Sequence, residues 1–164
     1  MESTTESVQA TLVNFPRFGD FAYRETDVIE FPWGMPGYPH LHRWLFLTLD
    51  SQPSFVWLQS LDDHSIALPA ANPWFMFEDY DPEVPASVFA ALDIRDASEF
   101  TYLVVTVVSP GAAEMTANLA GPIVVNLRTR KAVQTPLAGG RYSAREPIPR
   151  IASARHDELT AKAS

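Results

Sequence analysis

The sequence predicts an all-β fold, a small barrel-like antiparallel arrangement with one short helix. Three observations point there. Branched and aromatic residues recur in short runs; fourteen prolines and seven glycines, helped by Asp and Asn, cut those runs off at close intervals; and one stretch alone carries apolar residues at helical spacing.

Residues 1–9 are polar and are expected to form a flexible N-terminal tail. Leu12–Phe15, Phe21–Arg24 and Val28–Phe31 read as the first strands. The segment Phe31-Pro-Trp-Gly-Met-Pro-Gly-Tyr-Pro39 is too rich in Pro and Gly for a regular element and reads as an ordered turn. Strands resume at Trp44–Leu49 and Phe55–Ser60, with weaker signals at Ile66–Ala70 and Trp74–Phe77. The helix follows Pro85, a residue suited to a first turn, with Val88, Ala91 and Leu92 on one face. Asp96, with Glu99 three residues on, is placed to cap one more turn. Phe100–Val108 is the strongest strand, apolar on both alternating faces and therefore predicted to be buried on both sides. Ile123–Leu127 and Ala132–Leu137 read as a final pair around the basic turn Arg128-Thr-Arg-Lys131. The expected β-barrel domain spans residues 10–149, and 150–164, small, charged and aperiodic, reads as a flexible C-terminal tail.

Composition narrows the function classes. With 164 residues, 46% of them hydrophobic and 20% charged, the chain is long enough to bury one core and too apolar to be disordered. Without cysteine, neither a disulfide scaffold nor a thiolate metal site is possible. The start lacks the basic and apolar regions of a signal peptide, and the longest apolar run, around Tyr102 to Val108, falls far short of the roughly 20 residues of a membrane helix. A cytoplasmic protein with no membrane contact is expected. The formal charge of −8 is unevenly spread: residues 1–140 carry seven basic and seventeen acidic groups, whereas 141–164 carry five basic and three acidic ones. An acidic body repels phosphate backbones, so no direct nucleic-acid binding is expected.

No constellation of catalytic residues emerges, and no cofactor or metal is expected. His40 and His42 share a strand face if extended, but no third ligand stands at a recognisable spacing. Asp62-Asp63-His64, near Ser60 and Ser65, could be an acid–base cluster; adjacent side chains diverge, however, and a polar turn with carboxylates on local amides is the plainer reading. Neither a phosphate loop nor a Gly-x-Gly-x-x-Gly motif is present. The aromatics of Trp74-Phe-Met-Phe-Glu-Asp-Tyr80 sit among acids rather than the bases that track a nucleic-acid strand. Between Glu78 and Glu99 stand seven acids against Arg95 alone, and Glu78, Asp79, Asp81 and Glu83 are candidates for a docking surface that selects a basic partner.

Five segments together resemble the flagellar assembly factor family FliW: Ile29-Glu-Phe-Pro-Trp-Gly-Met-Pro-Gly-Tyr38; Trp57-Leu-Gln-Ser-Leu-Asp62; Asp79-Tyr80 with the Val84-Pro85 step; Met115-Thr-Ala-Asn-Leu119 with Pro122-Ile-Val-Val-Asn126; and Arg141-Tyr-Ser-Ala-Arg145. Trp33, Ser54, Ala144 and Glu146 depart from the pattern, where an acidic or polar residue, Pro, Thr and His are usual. The resemblance implies a non-catalytic barrel, monomeric alone, that binds flagellin and the RNA-binding carbon storage regulator CsrA. By switching partners it would relieve repression of flagellin mRNA translation. It adds Met115, Asn118, Arg141, Tyr142 and Arg145 to the candidate contact residues. Two other classes stay open: a small barrel holding an apolar ligand in its mouth, and a hydrolase-like enzyme using Asp62-Asp63-His64.

Overall fold

The computed structural model describes residues 9–49, 52–109 and 114–148. The tail expected at 150–164, and all but residue 9 of the one expected at 1–9, lie outside them. A hairpin of β1 (Thr11–Phe15) and β2 (Gly19–Tyr23) leads through a 3-10 turn at Glu25–Asp27 to β3 (Ile29–Glu30), β4 (Arg43–Leu49), β5 (Gln52–Ser60) and β6 (Ala67–Ala71). A covering segment follows, with 3-10 turns at Pro73–Phe75 and Ala97–Glu99 flanking helix α1 (Ala86–Ala91). The chain then forms β7 (Phe100–Ser109), β8 (Glu114–Ala117), β9 (Ile123–Asn126), β10 (Lys131–Gln134) and β11 (Glu146–Pro147).

Seven strands close a ring in the order β7-β6-β5-β4-β3-β10-β9, and β9 returns to β7. All neighbours are antiparallel except β3 and β10, which meet in parallel at Glu30 and Lys131. The length of β7 shapes the molecule. Residues 100–103 pair with β9, whereas 106–109 pair with β8, on which β11 adds a last short strand. One strand thus serves the closed ring along its first half and leaves it along its second.

Alternation of side chains sorts the core into layers. Trp44, Val56, Leu58, Ala70, Leu103, Ile123, Val125 and Ala132 point inward and fill the barrel with Phe31 and Met35 from the Pro/Gly segment and Leu41 just after it. The opposite faces of β5 to β9 carry Phe55, Ala71, Tyr102, Val104, Met115, Ala117 and Val124, sealed by the covering segment through Tyr80, Val88, Phe89 and Leu92. A third cluster, Phe15, Val28 and Leu45, fastens the β1–β2 hairpin to the outside of the barrel. The inward-facing side chains of the first cluster form the core of the ring.

Several expectations need correction. Trp74–Phe77 is not a strand: Asn72 accepts a hydrogen bond from the Trp74 amide at 3.0 Å, and Pro73 starts a 3-10 turn. Asn-Pro favours turn initiation, and that local chemistry outweighs the aromatic run. On α1, Val88 and Leu92 pack inward while Ala91 faces solvent. Val28–Phe31 contributes only the two residues of β3, and Ala132–Leu137 starts one residue earlier and ends at Gln134. β8 and β11 were not foreseen; both are too short to show a pattern of their own and exist by pairing with what precedes them. The turn at Asp96 forms as its residues predict, with the Asp96 carboxylate accepting from the Ser98 amide and Glu99 from the Arg95 amide, both at 2.9 Å.

Candidate functional site

The segment 31–39 is ordered by its own backbone. The Gly34 amide donates to Phe31 O at 2.9 Å, and Met35 and Tyr38 exchange bonds across Pro36-Gly37. Pro before a glycine of φ +91° is the pairing that a tight turn of this kind requires. Gly34, at φ +71°, lies so close to Pro39 that an added Cβ would sit 2.3 Å from its carbonyl oxygen. Trp33 is 60% exposed at the tip.

This loop forms one bank of a groove of about 620 Å³. The floor continues the inward-facing column of the barrel: Leu68 on β6, and Val105 and Val107 on β7 beyond the point where β9 stops pairing. Met35, Pro36 and Tyr38 line one side; Thr116, Asn118, Gln134, Ala144 and Arg145 line the rest. The groove is therefore the open end of the barrel, exposed because β7 outruns the ring. Its rim amides are partly engaged: Asn118 Oδ1 accepts from the Ala120 amide at 3.2 Å, and Gln134 Nε2 donates to Gly121 O at 3.0 Å.

A second surface lies on the covering segment. Glu78, Asp79, Asp81 and Glu83 are all exposed, beside the exposed aromatics Trp74 and Phe75. Tyr80, in their midst, points the other way: its hydroxyl donates to Leu119 O at 2.7 Å and its ring is buried. Burial, reinforced by Tyr142 and Tyr102, pushes the Tyr80 hydroxyl well above the ordinary tyrosine range. Tyr142 ties this ridge to the C-terminal segment, for its hydroxyl accepts from the Asp81 amide at 2.9 Å and its ring lies 4.8 Å from Tyr80. The Arg141 guanidinium stacks over the Tyr142 ring at 5.0 Å.

The candidate residues thus fall into three groups. Asn118 and Arg145 line the groove; the four acids form the ridge; Arg141 and Tyr142 stand between the two. Met115 does not belong on a contact surface. At 1% exposure it packs with Val104 and Ala117 beneath the covering segment, because alternation on β8 turns Thr116 towards the groove and Met115 away from it. Leu68, Val105, Val107 and Gln134 were missed. The one hint of them in the sequence is that Phe100–Val108 stays apolar for longer than a strand of a small ring needs.

Asp62-Asp63-His64 is a turn. Asp62 Oδ2 accepts from the His42 and Arg43 amides at 2.6 and 3.0 Å, and Ser60 Oγ accepts from the Asp62 and Asp63 amides. Asp63 accepts from Ser65, which holds its carboxyl below the usual range. Those oxygens are taken up by local amides and the Ser65 hydroxyl, and the His64 ring lies edge-on against Phe15 at 5.3 Å. His42 Nδ1 lies 2.9 Å from Phe31 O, a structural contact. Among the described residues no group of three metal-ligating side chains converges, and no helix is long and apolar enough to cross a membrane.

Comparison with known proteins covers nearly all of this architecture. The family model described as FliW protein matches residues 12–148. The flagellar assembly factor FliW of Moorella thermoacetica is 34% identical over 133 residues, 80% of this chain and 84% of that relative. Its counterpart in Pseudothermotoga lettingae is 33% identical over 133 residues, 80% and 85% of the two chains. A crystal structure of the flagellar assembly factor FliW superposes with a TM-score of 0.77 at 24% identity, covering 84% of this chain and 96% of that one, a likeness of fold.

Proposed function

The chain belongs to the FliW family of flagellar assembly factors, and from that premise we propose that it acts by switching between two protein partners, flagellin and the carbon storage regulator CsrA. As a member of a family of assembly factors it is not an enzyme. In this reading it works in the cytoplasm, monomeric on its own, with residues 10–149 as the working domain. Capture of the regulator relieves repression of flagellin mRNA translation, and flagellin competes for the same molecule.

The observation that carries the reading is spatial. Segments of the family resemblance far apart in sequence, around residues 35–38, 116–118 and 144–145, line one groove. Tyr142 links that groove's C-terminal bank to the acidic ridge. Two surfaces of different chemistry, joined by one short segment, suit a protein that answers to two partners. The ridge supports the regulator half of the proposal, since four exposed acids favour a basic protein and disfavour RNA beside it.

The test is titration calorimetry of the purified chain with flagellin and, separately, with the regulator from the same organism, followed by each titration in the presence of the other. Saturable binding to both, with one displacing the other, is the expected result. Binding to neither would overturn the proposal, and simultaneous binding would overturn the switch.

A further inference from the structure

We propose that the groove at the open end of the barrel is a peptide site, and that its occupant is an extended, apolar segment of a partner protein bearing a carboxylate. The floor supplies the apolar half of that specification. Leu68, Val105 and Val107 are aliphatic and Met35 and Tyr38 flank them, yet Val107 is 56% exposed, so the free protein leaves this column wet. A monomeric protein rarely leaves such a surface uncovered without use for it.

The rim supplies the rest. Arg145 is the one charged side chain among the lining residues, in a molecule whose net charge is −8. Among the described residues no acidic group forms an ion pair with its guanidinium, whereas Arg24, Arg43, Arg95 and Arg128 all have carboxylate partners. An exposed guanidinium without a carboxylate partner among the described residues, at the edge of an apolar trough, is complementary to a carboxylate, and a fork of donors binds one in bidentate geometry. Basic segments are discouraged twice, by Arg145 in the groove and by the acidic ridge elsewhere. The rim amides complete the fit to a backbone. With Asn118 Oδ1 on Ala120 and Gln134 Nε2 on Gly121, the Asn118 amine and the Gln134 carbonyl remain to meet the carbonyl and amide of a bound peptide unit.

The proposal deepens the reading of this face as a contact surface and rests on it, but its test needs neither named partner. The full chain, immobilised, is used to select from a random-peptide phage library, and the best binder is made synthetically and titrated. Selected sequences should combine Leu, Ile, Val or Phe with Asp or Glu and exclude Lys and Arg. Arg145→Glu should weaken the selected peptide about tenfold or more, Arg145→Lys should weaken it much less, and Val107→Asp should weaken it without shifting the unfolding midpoint. Enrichment of basic peptides, no enrichment, or equal affinity for the wild type and Arg145→Glu would overturn the proposal, whatever flagellin and the regulator do. Conversely, acidic enrichment with failed partner titrations would leave the groove standing and remove the partners.

Discussion

At the scale of single residues, Gly34 and Tyr80 hold the surfaces in place, and each makes a sharp prediction. Gly34 combines φ +71° with a Cβ position 2.3 Å from the Pro39 carbonyl oxygen. A left-handed residue other than glycine costs roughly 1–2 kcal/mol before any clash, so Gly34→Ala should lower stability by more than that, read as a reduced urea midpoint, and should displace the loop bank of the groove. Tyr80 bears on pH. Its hydroxyl is buried and bonded to Leu119 O, and burial likewise raises Tyr102. A folded-state value above the unfolded one means that the native state holds its protons longer; the stabilisation is therefore complete below about pH 10, the free tyrosine value, and lost as pH rises from there towards the raised folded-state value. Thermal melts across that range should show a falling midpoint above pH 10, with a shallower fall in Tyr80→Phe. What the sequence could reveal of such residues was uneven. Gly34 and Gly37 were legible as turn residues because proline flanks them. Met115 was not legible as core, since a single methionine between Glu and Thr has no periodicity, and only β8 pairing with β7 decides which way it faces.

At the scale of elements, legibility followed length. Phe100–Val108 declared itself because branched and aromatic residues dominate both alternating faces, and the structure uses both, Leu103 and Val105 inward, Tyr102 and Val104 outward. β8 and β11 have four and two residues, too few for a pattern; β8 exists by pairing with the end of β7, and β11 by pairing with β8 some thirty residues earlier. The groove was invisible for the same reason, being assembled from a loop, four strands and the C-terminal segment. The β1–β2 hairpin is the element whose attachment is easiest to test. It forms a two-stranded sheet of its own, and a lone two-stranded sheet is marginal in water. Phe15, 1% exposed, fixes it to Val28 and Leu45. Phe15→Ala should cost about 3–5 kcal/mol and should abolish amide protection in residues 11–23 before the barrel strands lose theirs. Leu12, 83% exposed on the opposite side of β1, is the control, and Leu12→Ser should move the unfolding midpoint very little. Equal effects at the two positions would mean that the hairpin is not held through Phe15.

For the whole molecule the decisive property is the separation of charge. The body is acidic, its acids are densest on the covering segment, and Arg145, the one charged lining residue of the groove, stands three residues along the chain from Tyr142, which bonds the Asp81 amide. If the ridge attracts a basic regulator, its contribution is long-ranged and screened, acting over a Debye length of about 8 Å at physiological salt. Replacing Glu78, Asp79, Asp81 and Glu83 together by Gln and Asn removes four negative charges from exposed positions without touching the buried Tyr80, so the fold should be unaffected. Regulator affinity should then fall at low salt, mainly through a slower association rate, and its dependence on salt should flatten, because electrostatic steering acts on encounter more than on residence. Peptide binding in the groove should survive the same change, since its charge contact is Arg145. Stopped-flow association measured across a salt series, with the wild type and the neutralised variant side by side, reads both effects at once. An unchanged salt slope would take the regulator off the ridge. A parallel loss of peptide binding would mean that the two surfaces are coupled through the segment carrying Arg141, Tyr142 and Arg145, and that a ligand on one is felt at the other.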